Sequence, residues 1–228
     1  MTVTFYTGFL NTPMGQGNYE GYVDMPAKQP LGQGKMWFNG GNYYDGNWSY
    51  GRYHGTGVLK TATFEYTGDF AAGLVTGQGI MNYNDKGLYQ GWFLNGGRHG
   101  RGTMKWNNGI VYTGQWKTDA IKGFGKVTWP NGDWWEATWD GSFSSIWAGK
   151  GQQGKGRARW HDKRNEGKVY VGATKGGLRH GFGTLTTLEY KFEGNFQDGR
   201  RDGRFKVTKL ATQKITHRTY EDDTWVDD

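Results

Sequence analysis

A short phrase recurs seven times along this chain: an aromatic residue, a small residue two positions on, and usually another aromatic two beyond that. Tyr44-Gly46-Trp48, Tyr66-Gly68-Phe70, Tyr89-Gly91-Phe93 and Tyr112-Gly114-Trp116 are the cleanest copies, and Trp135-Ala137-Trp139, Tyr170-Gly172-Thr174 and Phe192-Gly194-Phe196 continue the series. Their starts lie 22, 23, 23, 23, 35 and 22 residues apart. A fixed period in this range marks stacked supersecondary units, none of which can bury its apolar face alone. Such a chain poses the question of what the array holds rather than which reaction it runs.

Composition narrows the class. Glycine numbers 41 of 228 residues and proline only 4, while aromatics make up 17%. A flexible glycine-rich chain lacks the aromatic content that buries surface, so these glycines belong to ordered structure. There is no cysteine, which excludes a disulfide framework, a thiolate nucleophile and cysteine-ligated zinc. No apolar run approaches the ~20 residues of a membrane span. Residues 1–17 contain no Arg or Lys and lack the order of a secretory signal. The expected location is an intracellular, reducing compartment, cytoplasmic with cytoskeletal or membrane association.

One period shows the chemistry. Tyr89-Gln90-Gly91-Trp92-Phe93 alternates as a strand does. The glycine-dense segment from Asn95 to Gly102 reads as a connecting loop, because glycine supplies positive φ. Thr103-Met104-Lys105-Trp106 alternates again, and Asn107-Asn108-Gly109 is a turn signal leading to the next unit. Each period is thus a β-hairpin. Two residues beyond each Gly-x-Gly stands Met36, Leu59, Met81, Met104, Val127, Ala158 or Leu185, and four beyond stands Phe38, Thr61, Tyr83, Trp106, Trp129, Trp160 or Thr187. Cβ directions alternate along a strand, so both sets face one side and form two ladders of a thin continuous core.

The phrase, with His54-Gly55-Thr56-Gly57, His99-Gly100-Arg101-Gly102 and His180-Gly181-Phe182-Gly183, resembles the MORN repeat family over roughly residues 6–208. The resemblance implies an elongated, single-layer antiparallel sheet. It also implies a module for interaction and assembly, with lipid binding as a proposed second use. The reading is therefore an all-β, elongated single-layer antiparallel meander of about eight β-hairpin repeats. Residues 1–220 form the array: 1–43 atypical N-terminal repeats, 44–139 regular repeats, 140–169 a repeat with a longer basic loop, and 170–220 the last repeats and cap. Residues 221–228 read as a solvated acidic tail.

Catalysis finds little footing. His54, His99 and His180 hold one repeat position, so successive copies stand roughly 9–10 Å or more apart. That is too far to share a zinc ion, whose ligands lie at ~2 Å. Gly149 to Gly156 imitates a phosphate loop but has Gly156 where the magnesium-binding hydroxyl belongs, and no βαβ setting surrounds it. The expectation is a chain with no catalytic residue, cofactor or metal.

Two surfaces remain as candidates. Trp48, Phe70, Phe93, Trp116 and Trp139 form an aromatic stripe that a single layer leaves to be covered by a partner, or by a second copy in a homodimer. Lys150, Lys155, Arg157, Arg159, Lys163, Arg164, Arg200, Arg201 and Arg204 form a basic patch. Residues 115–220 carry a net +10, against +2 for residues 1–114 and −5 for the last eight. Such a patch suits an acidic protein or an anionic membrane. Nucleic acid ranks below both, since no known reader motif occurs. The function expected is a protein-interaction scaffold or architectural subunit, with the loop from Asp140 to Gln153 giving specificity. Peripheral binding to anionic phospholipid is the alternative.

Overall fold

The computed structural model describes residues 2–140, 156–161, 168–175 and 178–226. They are almost all strand, in an open antiparallel sheet, so the all-β hairpin meander stands. Contacts divide the chain into two compact units, Met1–Asn108 with Gln115–Asp119, and Gly109–Gly114 with Ala120–Asp228.

The first unit contains β1 (Thr2–Thr12), β2 (Gly15–Met25), β3 (Gln29–Trp37), β4 (Tyr43–Ser49), β5 (Arg52–Lys60), β6 (Phe64–Ala71), β7 (Leu74–Tyr83), β8 (Gly87–Leu94) and β9 (Gly97–Trp106). Strand β10 (Val111–Lys117) falls across the division. The second unit contains β11 (Ala120–Thr128), β12 (Trp134–Asp140), β13 (Gly156–His161), β14 (Val169–Lys175), β15 (Leu178–Thr186), β16 (Tyr190–Gln197), β17 (Arg200–Arg201), β18 (Gly203–Lys209), β19 (Lys214–Glu221) and β20 (Thr224–Val226).

Several hairpin turns are two residues long with both φ positive, as at Asn95 (φ 50) and Gly96 (φ 85) between β8 and β9. Primed turns of this kind match the twist of the strands they join. The segment after the turn is therefore strand, not the loop expected from its glycine density. Its first glycine sits in a β-bulge. In β8–β9 the register moves from Gly91↔Gly102 to Trp92↔His99, and Gly100 takes φ 61 inside the bulge. The same shift occurs at β4–β5 and β6–β7. Of the two extra residues in each bulge, the first takes a left-handed backbone, which glycine supplies without steric cost.

Register aligns the repeats into rows. Tyr19, Met36, Tyr44, Leu59, Tyr66, Met81, Tyr89 and Met104 are consecutive cross-strand partners. Beside them runs a row of glycines: 21, 34, 46, 57, 68, 79, 91 and 102. The first expected ladder is buried except for half-buried Leu59, whereas Phe38, Thr61, Tyr83, Trp106, Trp129 and Thr187 of the second are half-buried. Thr61 and Thr187 act there as turn formers. Each hydroxyl lies 3.1 Å from a carbonyl three residues on, that of Phe64 or Tyr190.

In the second unit the register departs at the long repeat. Trp135 pairs with Ala158, but Ala158 then pairs with Gly172 rather than with Tyr170. Gly172↔Gly183 and Gly183↔Gly194 restore the glycine row. At the last repeat Phe205 stands where a glycine is expected, and its ring fills the space over Gly194 that a tyrosine fills elsewhere.

Candidate interaction surface

The tyrosines explain why the phrase requires a small residue. A glycine facing a glycine on the next strand leaves a trough, and the tyrosine two residues earlier lays its ring in it. Cβ atoms at Gly68 or Gly79 would collide with the Tyr66 ring and hydroxyl, and the same holds at Gly46 and Gly57 for Tyr44. The hydroxyl then reaches a carbonyl three residues on: Tyr19 to Tyr22 at 2.8 Å, Tyr44 to Asn47 at 2.8 Å, Tyr89 to Trp92 at 3.0 Å and Tyr170 to Ala173 at 2.7 Å. Burial pushes the hydroxyls of Tyr19, Tyr44, Tyr53, Tyr66 and Tyr89 well above the ordinary phenol range. That of Tyr170 is pushed up to about 12, against a smaller lowering by the Arg179 charge.

The aromatic stripe wedges between these tyrosines. Trp48 meets Tyr19 and Tyr44 edge-on, with ring centroids at 5.7 and 5.0 Å. Phe70 stands 5.1 Å from both Tyr44 and Tyr66, Phe93 5.1 Å from both Tyr66 and Tyr89, and Trp116 5.3 Å from Tyr89. In the second unit Trp139 meets Tyr112 at 6.4 Å. The indole N–H groups of Trp48, Trp116 and Trp139 donate to the carbonyls of Gly34, Gly102 and Gly125 at 2.9, 3.2 and 2.9 Å. All five stripe residues are 2–3% exposed. The expected partner groove is therefore the core of this face. Each aromatic is satisfied by its own chain through edge-to-face contacts, the arrangement that aromatic quadrupoles favour.

The opposite face has no such cover. Ile80, Leu88 and Trp92 are exposed there. Ile80 pairs with Gln90, and Leu88 and Trp92 lie two residues to either side of Gln90, so the three share one face at diagonal spacing. On β1–β3 the open face exposes Val3, Phe5, Phe9, Tyr22 and Trp37. A tally of phrases misses these residues because they fall between the repeat positions. The strand alternation was the signal that could have found them.

The basic patch is partly neutralised. Arg201 donates from Nε to Asp223 Oδ1 at 2.8 Å and from Nη2 to the Asp223 carbonyl at 3.2 Å. Its guanidinium lies 4.2 Å from the Tyr220 ring centroid and 4.8 Å from that of Phe192. Arg200 pairs with Asp222 at 3.3 Å. The acids expected in a solvated tail are thus partners of the patch. Asp222 and Asp223 accept the positive φ of a two-residue turn, and the chain returns as β20, with Trp225 opposite Tyr220 and 4.4 Å from the Arg218 guanidinium. Arg159 and Arg204 are exposed. The side chain of Arg157, together with Lys150, Lys155, Lys163, Arg164 and the loop from 141 to 153, lies outside the described residues, as does most of the phosphate-loop imitation.

His54, His99 and His180 stand on the bulges of separate hairpins. His180 approaches Asp198 at 3.5 Å. Among the described residues no group of His, Asp and Glu could hold a metal ion, and no helix is long and apolar enough to cross a membrane.

No curated protein matches the chain. The family model for the MORN repeat matches residues 44–63, 89–111, 112–134, 170–187 and 192–204. The hairpin from Tyr66 lies between matched stretches and repeats their geometry in full, with Tyr66 over Gly68 and Gly79 and between Phe70 and Phe93. Five stretches of the chain thus carry MORN repeats, and in four of them a tyrosine lies over its glycine pair.

Proposed function

We propose that this chain is a non-enzymatic interaction scaffold, an architectural or accessory subunit of a larger assembly, and that its partner docks on the face opposite the tyrosine ladder. The observation that carries this reading is the asymmetry of the two faces. One is filled by the chain's own aromatics, while the other presents Ile80, Leu88 and Trp92 to solvent. Exposed apolar groups grouped on a rigid sheet are the usual mark of a docking surface. MORN repeats commonly serve as protein- or membrane-interaction modules, in line with this use.

The phospholipid alternative drew on free charge in the second half of the chain. Two of the arginines it counted on, Arg200 and Arg201, face Asp222 and Asp223, which lowers the field available to an anionic surface. Affinity purification of the tagged chain from its native cells, with the mass of the eluted species measured by light scattering, tests the scaffold reading. A stoichiometric complex of defined mass supports it. A lone chain that instead binds anionic liposomes in a salt-sensitive manner replaces it with the membrane reading.

A further inference from the structure

Among the described residues β1 is an edge strand: it pairs with β2 alone, along all eleven of its positions. Its other side presents a row of backbone N–H and C=O groups that a strand could join. Natural edge strands are normally blunted by charge, proline, bulges or brevity. β1 has none of these: Thr2-Val3-Thr4-Phe5-Tyr6-Thr7-Gly8-Phe9-Leu10-Asn11-Thr12 contains no charged residue and no proline, and its register with β2 is unbroken. It also exposes large apolar groups, with Phe5 at 58% and Phe9 at 61%. The strands at the C-terminal side are protected in the usual ways. β20 is three residues long and follows Asp222 and Asp223, and the part of β19 it leaves uncovered carries Lys214, His217 and Arg218.

The register of the β1–β2 hairpin says what fits this edge. Each strand carries the Tyr-x-Gly phrase, and they pair antiparallel with Tyr6 opposite Gly21 and Gly8 opposite Tyr19. Each glycine makes room for the ring of the tyrosine two positions earlier on its own strand. β1 can repeat this match against itself. Laid antiparallel about Thr7, Tyr6 faces Gly8 of a second copy and Gly8 faces its Tyr6. Phe5 then faces Phe9 on the open face, and Thr4 faces Leu10 on the ladder face. Neither paired strand carries a charged residue, and the Lys28 ammonium stands 5.5 Å from the Tyr6 ring centroid. A strand that satisfies itself about a two-fold axis gives an isologous, closed pair, since the same patch is used on both copies.

We infer that a second copy of this chain adds to the edge of β1, through antiparallel β1–β1 pairing centred on Thr7, and forms a two-fold dimer. The inference stands apart from the docking of a partner on the open face, because it is read on the purified chain alone. Sedimentation equilibrium of the full chain gives a dimer mass. Thr7→Lys places two ammonium groups side by side at the axis and weakens self-association roughly fivefold or more. Phe5→Lys also weakens it, and adding Phe9→Glu to that variant restores it through the cross-strand pair. Thermal melts confirm that these exposed positions leave the fold intact. The chain has no cysteine, so Thr7→Cys introduces one sulfur per copy, and paired antiparallel strands hold such residues within reach of a disulfide. Oxidation then yields a covalent dimer. A monomer at every concentration overturns the inference, as does a dimer indifferent to Thr7→Lys that fails to crosslink at position 7. A wild-type monomer that captures another protein's strand through β1 overturns the second copy as occupant.

Discussion

Arg98 clasps Asp119 across one repeat. Its Nε donates to Asp119 Oδ1 at 2.8 Å, its backbone N–H donates to the same oxygen at 3.1 Å, and its Nη2 donates to the Asp119 carbonyl at 3.0 Å. The Asp119 N–H returns a bond to the Arg98 carbonyl at 3.1 Å. The same backbone bond recurs at other hairpins, as from Gly73 to Tyr53 at 2.9 Å and from Gly96 to Val75 at 2.8 Å. The clasp adds a charge-assisted pair to it, and the guanidinium packs 4.4 Å from the Trp116 ring centroid. Arg201 and Asp223 reproduce the arrangement in the second unit.

Arg98→Ala removes both the pair and the ring cover, and should lower stability by about 1–2 kcal/mol. Arg98→Met keeps the packing and should lose about half as much. Urea midpoints of the two variants against the parent check this order.

The second clasp predicts an acid limb. Burial pushes the Asp223 carboxyl up, but hydrogen bonds from the Arg201 side chain and backbone, together with its charge, outweigh burial and hold it below 3.8. A depressed folded value means that the unfolded chain binds the proton first. The contribution is therefore full above the unfolded value and disappears as pH falls through the folded one. Urea unfolding from about pH 5 to pH 2 should show this loss, and Arg201→Ala should flatten its slope.

The tyrosine troughs predict intolerance to one methyl group. Gly79→Ala drives a Cβ into the Tyr66 ring and should cost about 3 kcal/mol, although φ at Gly79 is not left-handed. Tyr66→Phe keeps the ring and loses a hydroxyl that lies 3.1 Å from the Asp69 carbonyl and 3.2 Å from the Thr76 carbonyl. Its cost should be about 1 kcal/mol. Thermal melts that rank the two variants the other way would contradict the packing described.

The raised tyrosines predict an alkaline limb of opposite sign. Folded values above the unfolded one mean that the native state keeps its protons longer. Stability is whole below about pH 10 and declines as pH rises toward the folded values. Phenolate absorbance should rise together with loss of near-ultraviolet dichroism. Ionisation at the ordinary value in an intact fold would show that these rings are open to water.

Much of the fold was legible because an aromatic, a small residue and an apolar residue recur at fixed places from period to period. The rows built on Tyr44, Met81 and Gly68 follow from alternation and spacing alone. The fate of Trp48 and Phe93 did not. Period-two alternation puts a residue on a face but does not say whether neighbouring rings close over it. That depends on how far each tyrosine leans across its glycine pair. Glycine density after Asn95 points to a loop where the structure has strand, because composition does not distinguish a bulged strand from a turn. Arg98 and Asp119 stand 21 residues apart and Arg201 and Asp223 stand 22 apart. That is one period, so the clasp could have been sought by pairing opposite charges across a repeat. Asp222 and Asp223 read as tail only because their partners lie in the preceding hairpin.

The central claim is that the ladder face is core and the open face docks. Quantitative affinity purification from native cells of the parent, the Ile80→Ser/Trp92→Ser variant and Trp48→Phe tests it most directly, with melting temperatures measured in parallel. The account predicts that the Ile80/Trp92 variant melts with the parent yet loses its stoichiometric partners. Trp48→Phe should melt lower, by about 1 kcal/mol for its lost bond to Gly34, and keep them. Full partner retention by the Ile80/Trp92 variant, with loss in a well-folded Trp48→Phe, would contradict it and return the binding surface to the aromatic stripe.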